Sequence, residues 1–277
     1  MRKVTLAICA VLVVSQFANA ATLRNDVPSC TNEVPGEYYQ LPNERELFIL
    51  VDKTMAHSLD QEIKSELFQS VKRFIQPGDK VQLVEFSSFA QDSYTKVVFN
   101  GQLDTQLSDD HRSYVKKSVL KSLDKCLDKQ HNYMLNKVGI SLKAAFQAQE
   151  KPTNTELVGT LSDISKQVLT QSTAKRKVVL LISDMLENSD ITSFYKNNQT
   201  RVISPKQELE RISTSQMFAN FNQADIYVIG TGVIPGNQQY ISAQKMNKLE
   251  SFWKDYFKQS NAKLLGFGKP MLLGDIR

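Results

Sequence analysis

The chain has 277 residues, enough for one or two domains, with the 41% hydrophobic and 23% charged content of an ordinary soluble globular protein. Its 34 basic against 29 acidic side chains give a formal +5. That excess is mild and its lysines are scattered, which argues against a nucleic-acid binder.

Residues 1–20 read as a signal peptide: Arg2 and Lys3 form a basic start, Leu6 to Val14 an apolar core, and Ala18-Asn19-Ala20 a small-x-small cleavage site. A spanning helix needs roughly 20 apolar residues, so this run is too short for a comfortable anchor. Leu6-Ala7-Ile8-Cys9 resembles an acylation box but falls too early, before the apolar core is complete. The expected address is periplasmic or secreted, with cleavage after Ala20 and no later transmembrane segment. Removing Arg2 and Lys3 leaves 32 basic against 29 acidic side chains, a formal +3. Cleavage also removes Cys9 and leaves Cys30 and Cys126, which an oxidising compartment would pair. The alternative is two free thiols, with Cys126 packed on a helix face beside Val119 and Leu123.

Residues 21–45 hold Pro28, Pro35, Gly36 and Pro42 without periodicity and read as an irregular lead-in. From residue 46 to 277 the pattern predicts one α/β domain with a helical insertion at about 101–150. Glu46–Asp52 is an apolar strand of the kind covered on both faces. Ile63, Leu67, Val71 and Phe74 predict a helix from about Leu59 to Ile75, ending before Pro77-Gly78. Strands follow at Lys80–Ser87 and Tyr94–Asn100; the short link between them excludes a helical crossover, so this pair is antiparallel. The stretch from Ser108 to Ala148 reads as two helices, one marked by Val115, Val119, Leu123 and Leu127, the other by Leu135, Val138, Leu142 and Phe146. The basic residues here, Arg112, Lys116, Lys117, Lys121 and Lys125, read most simply as a solvated face, with an acidic partner as the alternative.

Thr155 opens a helix through Leu169, and Lys177–Ser183 is a strand. Glu187 to Ser204 is a polar loop, of the long kind that is often functional or mobile, and it carries the sequon Asn198-Gln199-Thr200. Pro205 starts a helix carrying Leu209, Ile212 and Phe218. Asp225–Gly230, Ser242–Gln259 and Lys263–Gly268 complete a strand, a helix and a strand. The whole predicts an open, mostly parallel sheet with one antiparallel edge strand and helices on both faces.

Two strands end on aspartates. Leu47-Phe48-Ile49-Leu50-Val51 runs into Asp52-Lys53-Thr54, and Val178-Val179-Leu180-Leu181-Ile182 into Ser183-Asp184. Ligands of open α/β sheets bind beyond the carboxyl ends of the strands, so two hard oxygen donors there point to a divalent cation.

With this element order and these aspartates, residues 46–268 resemble the von Willebrand factor type A (vWA) domain family, whose fold is Rossmann-like. The resemblance implies a metal-ion-dependent adhesion site, commonly holding Mg2+ or Mn2+, built from a D-x-S-x-S loop, a threonine opening a mid-domain helix and a later aspartate. Residue by residue, the implied metal ligands are Asp52, Thr54, Thr155 and Asp184, with Thr153 as the fallback for Thr155. Ala56 stands where the second serine belongs and has no ligand atom; neither His57 nor Ser58 is a sound substitute. Ser183-Asp184-Met185-Leu186-Glu187-Asn188 is similar to the family's S/T-D-G-x-x-N, with Met185 in the glycine position. The competing reading is a vestigial pocket in which Asp52 and Asp184 only accept backbone hydrogen bonds.

Enzyme motifs are missing. A dehalogenase-type phosphatase needs a second aspartate where Thr54 stands, and no G-x-S-x-G, H-E-x-x-H or Walker sequence occurs. A hydrolase using Asp52 and His57 lacks an identified nucleophile and orienting partner. The expectation is a non-enzymatic, exported module that binds a protein partner, bridging its carboxylate through the ion. The alternative is a structural component of an envelope complex with an inert site, binding through its basic middle helices or its lead-in.

Overall fold

The two apolar runs that end on aspartates form the middle of one sheet. The computed structural model describes residues 24–34, 44–87, 94–147, 156–197, 199–234 and 239–277. The principal elements are β1 (Arg45–Asp52), α1 (Gln61–Phe74), β2 (Lys80–Ser87), β3 (Tyr94–Gln102), α2 (Asp109–Tyr114), α3 (Lys117–Ala145), α4 (Leu157–Gln167), β4 (Arg176–Ile182), α5 (Pro205–Thr214), β5 (Ala224–Ile229), α6 (Ala243–Gln259) and β6 (Ala262–Phe267). The order across the sheet is β6-β5-β4-β1-β2-β3. All neighbours are parallel except β2 and β3, which are antiparallel.

Alternate side chains of the central strands enter two cores. Leu47, Ile49 and Val51 pack with α1 and α3 on one face; Phe48 and Leu50 pack with α4, α5 and α6 on the other. A strand buried on both faces needs an unbroken apolar run, and Leu47 to Val51 are fully inaccessible. Asp60 caps α1 by accepting from the Ile63 amide at 2.8 Å, and α1 stops at Phe74, ahead of Pro77.

The middle of the chain departs from the two-helix expectation: α3 is one helix of 29 residues. Its inward stripe runs through Leu123, Leu127, Gln130, Met134, Val138 and Leu142 without a break. The polar Gln130 hides that continuity in the sequence. It is buried and bridged, its Oε1 accepting from the Asp104 amide (2.9 Å) and its Nε2 donating to the Pro28 carbonyl (2.7 Å) and Asp104 Oδ2 (3.0 Å). Phe218 also lies outside its expected helix, because α5 ends at Thr214.

The lead-in covers the open sheet edge where it is described. The Asp26 amide donates to the Asn100 carbonyl (2.8 Å), while Asn25 Oδ1 and Asp26 Oδ2 accept from the amides of Gln102 and Asn100, each at 3.0 Å. An exposed edge strand is a template for pairing with other chains, and these contacts occupy the lower half of β3. Cys30 and Cys126 form a disulfide, with Cα atoms 5.9 Å apart across 96 residues. It ties the lead-in to α3 over a small cluster of Val34, Leu107, Leu123 and Leu127.

The loop after β4 is pinned in place. The buried Glu208 accepts from Arg201 (2.8 Å), Arg211 (2.8 Å) and Thr192 Oγ1 (2.6 Å), and Lys245 donates to Thr200 Oγ1 (3.0 Å). Asn198 of the sequon and the expected signal peptide lie outside the described residues, and among those described no helix is long and apolar enough to cross a membrane.

Candidate metal centre

The site lies at a switch in topology. β1 and β4 are adjacent and parallel, with Val51 level with Ile182, yet the chain leaves β1 for α1 on one face and β4 for α5 on the other. The crevice where such connections diverge is the usual ligand position of an open α/β sheet. Asp52 and Ser183-Asp184 are the residues delivered there.

Asp52 is completely buried, and each of its oxygens has a donor. Oδ1 accepts from the Thr54 amide (2.9 Å) and the Thr54 hydroxyl (2.6 Å), and Oδ2 from the Ser183 hydroxyl (3.1 Å). Asp184 is 5% exposed; its Oδ1 accepts from the Leu186 amide (2.9 Å). Its carbonyl accepts from the Gly232 amide (2.8 Å). Burial pushes the Asp52 carboxyl up, its hydrogen bonds opposing the shift. Burial pushes Asp184 well up, and the nearby Asp52 charge adds to the effect. Among the described residues neither carboxylate has an ion-pair partner. Lys53, the neighbouring cation, donates instead to the Ala144 carbonyl at the end of α3 (3.3 Å).

Two adjacent buried carboxylates without a cation are costly, and a proton or a metal ion relieves the cost. The donors fit a hard ion: two aspartates and the hydroxyls of Thr54 and Ser183 are all oxygen, as Mg2+ or Mn2+ requires. Among the described residues no group of three or more His, Cys, Asp or Glu forms a metal cluster. A site here would therefore depend on two carboxylates, hydroxyls and water. Thr155, assigned to the ligand set by the resemblance, lies outside the described residues, as does Thr153. Ala56 is buried, and His57 Nε2 shares a hydrogen bond with Ser58 Oγ at 3.3 Å, so neither of those two polar groups stands in simply for the lost serine.

Met185 explains its own departure from the glycine pattern. Its φ of 62° is left-handed, the region that favours glycine. The side chain is nevertheless fully buried in the α4–α6 core, and its carbonyl accepts from the Trp253 indole (2.9 Å).

Two residues near the site were not picked out by sequence reasoning. Ser183 was read only as part of the motif, though its hydroxyl both donates to Asp52 and accepts from the Met185 amide (3.1 Å). Glu187 is fully buried and its Oε2 accepts from the Val158 amide in the first turn of α4 (2.8 Å). Its Oε1 has no hydrogen-bond partner among the described residues, and burial pushes the carboxyl up to about 7. An acidic residue in a polar stretch carries no sequence signal of burial.

No family model matches the chain, and no curated protein matches it. Solved structures are similar to it in fold. Proximal thread matrix protein 1 from the mussel byssus is 15% identical, covering 77% of this chain and 42% of that one, with a TM-score of 0.36. An aerotolerance-related membrane protein from Bacteroides fragilis is 14% identical over 81% of this chain and 92% of that one, TM-score 0.32. Three N-terminal domains of the type V pili tip protein Mfa5 from Porphyromonas gingivalis are 15% identical over 52% of this chain and 20% of that one, TM-score 0.29. The chain spans less than half the length of the mussel and pilus chains. One structure of the mussel protein has a zinc-occupied MIDAS motif. With five parallel strands, one antiparallel edge strand and helices on both faces, the chain has the open, mostly parallel α/β fold that the sequence predicts.

Proposed function

We propose that this chain is a non-enzymatic, exported module that binds a protein partner at the carboxyl ends of β1 and β4. The observation that carries the reading is the pair Asp52 and Asp184, buried near one another at the topological switch without an ion-pair partner among the described residues. Asp52, Thr54, Ser183 and Asp184 would hold Mg2+ or Mn2+, with Thr155 as the further ligand the resemblance implies. A bound ion would supply positive charge for a partner's carboxylate. The chain's own part is to fix the donors: Thr54 and Ser183 orient Asp52 from both sides, and the Leu186 amide orients Asp184. Export is supported by the pattern of residues 1–20 and by the disulfide, which persists in oxidising compartments.

A second reading is favoured by the same hydrogen bonds. Both Asp52 oxygens already accept from donors, so the pocket is able to stand with protons alone, as a vestigial site in a structural component of an envelope complex. Thermal unfolding in EDTA, Mg2+, Mn2+ and Ca2+ separates the two, because an ion that binds only the folded chain raises its midpoint. The proposal expects a rise with Mg2+ or Mn2+ that is lost in Asp184→Ala. Equal midpoints at millimolar ion in both proteins would leave the vestigial reading.

A further inference from the structure

A groove of about 510 Å³ runs between the first half of α1 and the last turns of α3. Its volume lies within the roughly 300–1,000 Å³ typical of ligand sites. Leu142 and the half-buried rings of Phe68 and Phe146 form an apolar floor. Gly139 keeps that floor open: a Cβ there would come within 3.1 Å of the Phe68 ring. Among the described residues the remaining lining is Gln61, Ser65 and Gln147 with two titratable groups, Lys64 and Lys143, and no acid.

The two lysines differ. Lys64 is held at the end nearest the metal loop, donating to the His57 carbonyl (3.3 Å) and lying 5.6 Å over the Phe146 ring. Lys143 is exposed, and its ammonium has no partner among the described residues. Ile140, next to Gly139 of the lining, is 58% exposed. A floor of aromatic rings between two cations is complementary to a short extended segment that carries a large apolar side chain flanked by carboxylates.

We infer that the α1–α3 groove docks such an acidic, apolar segment of the partner protein, independently of the ion at the strand ends. The inference rests on the protein-binding reading but not on metal binding. The groove and the loop that follows Asp52 are joined through Lys64, which donates to the His57 carbonyl.

The test is a titration of the isotope-labelled protein, in EDTA, with three synthetic peptides followed by amide chemical shifts. Gly-Asp-Phe-Glu-Gly should give saturating shifts centred on Lys64, Ser65, Phe68 and Lys143. Gly-Asp-Ala-Glu-Gly and Gly-Lys-Phe-Lys-Gly should each bind about tenfold more weakly or worse, the first for want of the ring and the second through charge repulsion. Lys64→Glu with Lys143→Glu should reverse the preference between the two phenylalanine peptides; Lys143→Glu alone, at an exposed position, should weaken the acidic peptide if the double variant does not fold. Absence of saturable shifts at these residues, or equal shifts with the lysine peptide, overturns the groove. Binding that appears only with Mg2+ and disappears in Asp184→Ala also overturns it, and assigns the acidic segment to the strand-end site instead.

Discussion

Replacing Glu187 by glutamine should stabilise the protein at alkaline pH and change little in acid. The carboxyl is fully inaccessible, and burial lifts it from its ordinary 4.5 to about 7. Between those values the folded chain keeps a proton that the unfolded chain releases, so stability falls as pH rises. The contribution is fully present below about pH 4.5 and lost as pH passes through about 7. The gap between the two values corresponds to about 3 kcal/mol. Glutamine cannot ionise, yet its carbonyl oxygen can still accept from the Val158 amide that Glu187 now caps at 2.8 Å. The assay is urea unfolding of both proteins with the disulfide intact. Asp52 and Asp184 are also pushed up, but they are common to both chains, so the difference isolates Glu187. That difference should grow in favour of Glu187→Gln by about 2–3 kcal/mol between about pH 5 and about pH 8. A difference that stays flat with pH would refute the reasoning, because it would mean that Glu187 is ionised and well compensated in the folded chain.

Other substitutions test separate parts of the structure. Cys30→Ser with Cys126→Ser frees a loop of 96 residues, which on the chain-entropy model costs about 4–5 kcal/mol and should appear as a lower urea midpoint; an unchanged midpoint would mean the unfolded chain is already constrained there. Met185→Gly relieves a left-handed residue, worth about 1–2 kcal/mol, but removes a fully buried side chain, worth about 2–5 kcal/mol. Burial should win, so the variant melts lower, and a higher melting point would show that backbone strain dominates. Gln130→Leu keeps the helix but strands the Asp104 amide and the Pro28 carbonyl, and should cost about 1–3 kcal/mol in urea unfolding with helix content by circular dichroism unchanged.

Much of the fold was legible in order along the chain. Leu47–Val51 and Val178–Ile182 are continuous apolar runs, and their burial on both sides follows from that pattern alone. The short link before Tyr94 required an antiparallel β3 because no crossover fits in it. Asp52 and Asp184 were recognisable as a pair because strand ends of a parallel sheet are brought to one edge whatever the intervening sequence. These features depend on periodicity and covalent reach, which sequence carries directly.

What tertiary structure decided concerns polar groups whose partners are far away in the chain. Gln130 carries no sequence signal of burial, but Asp104 and Pro28 satisfy its amide within the inward stripe of the single helix α3. Asn25 and Asp26 looked irregular until the amides of β3 gave them acceptor duties along the sheet edge. Glu187 belonged to a polar loop by composition, yet α4 and the core close over it. Met185 sits in a glycine position because the core around it buries its side chain completely, which offsets the left-handed backbone. Sequence by itself determined the layers, the strand directions and the place where the two aspartates meet. Only the folded chain decided which polar side chains are buried and what holds them, because the free energy of a buried polar group depends on neighbours that local pattern does not name.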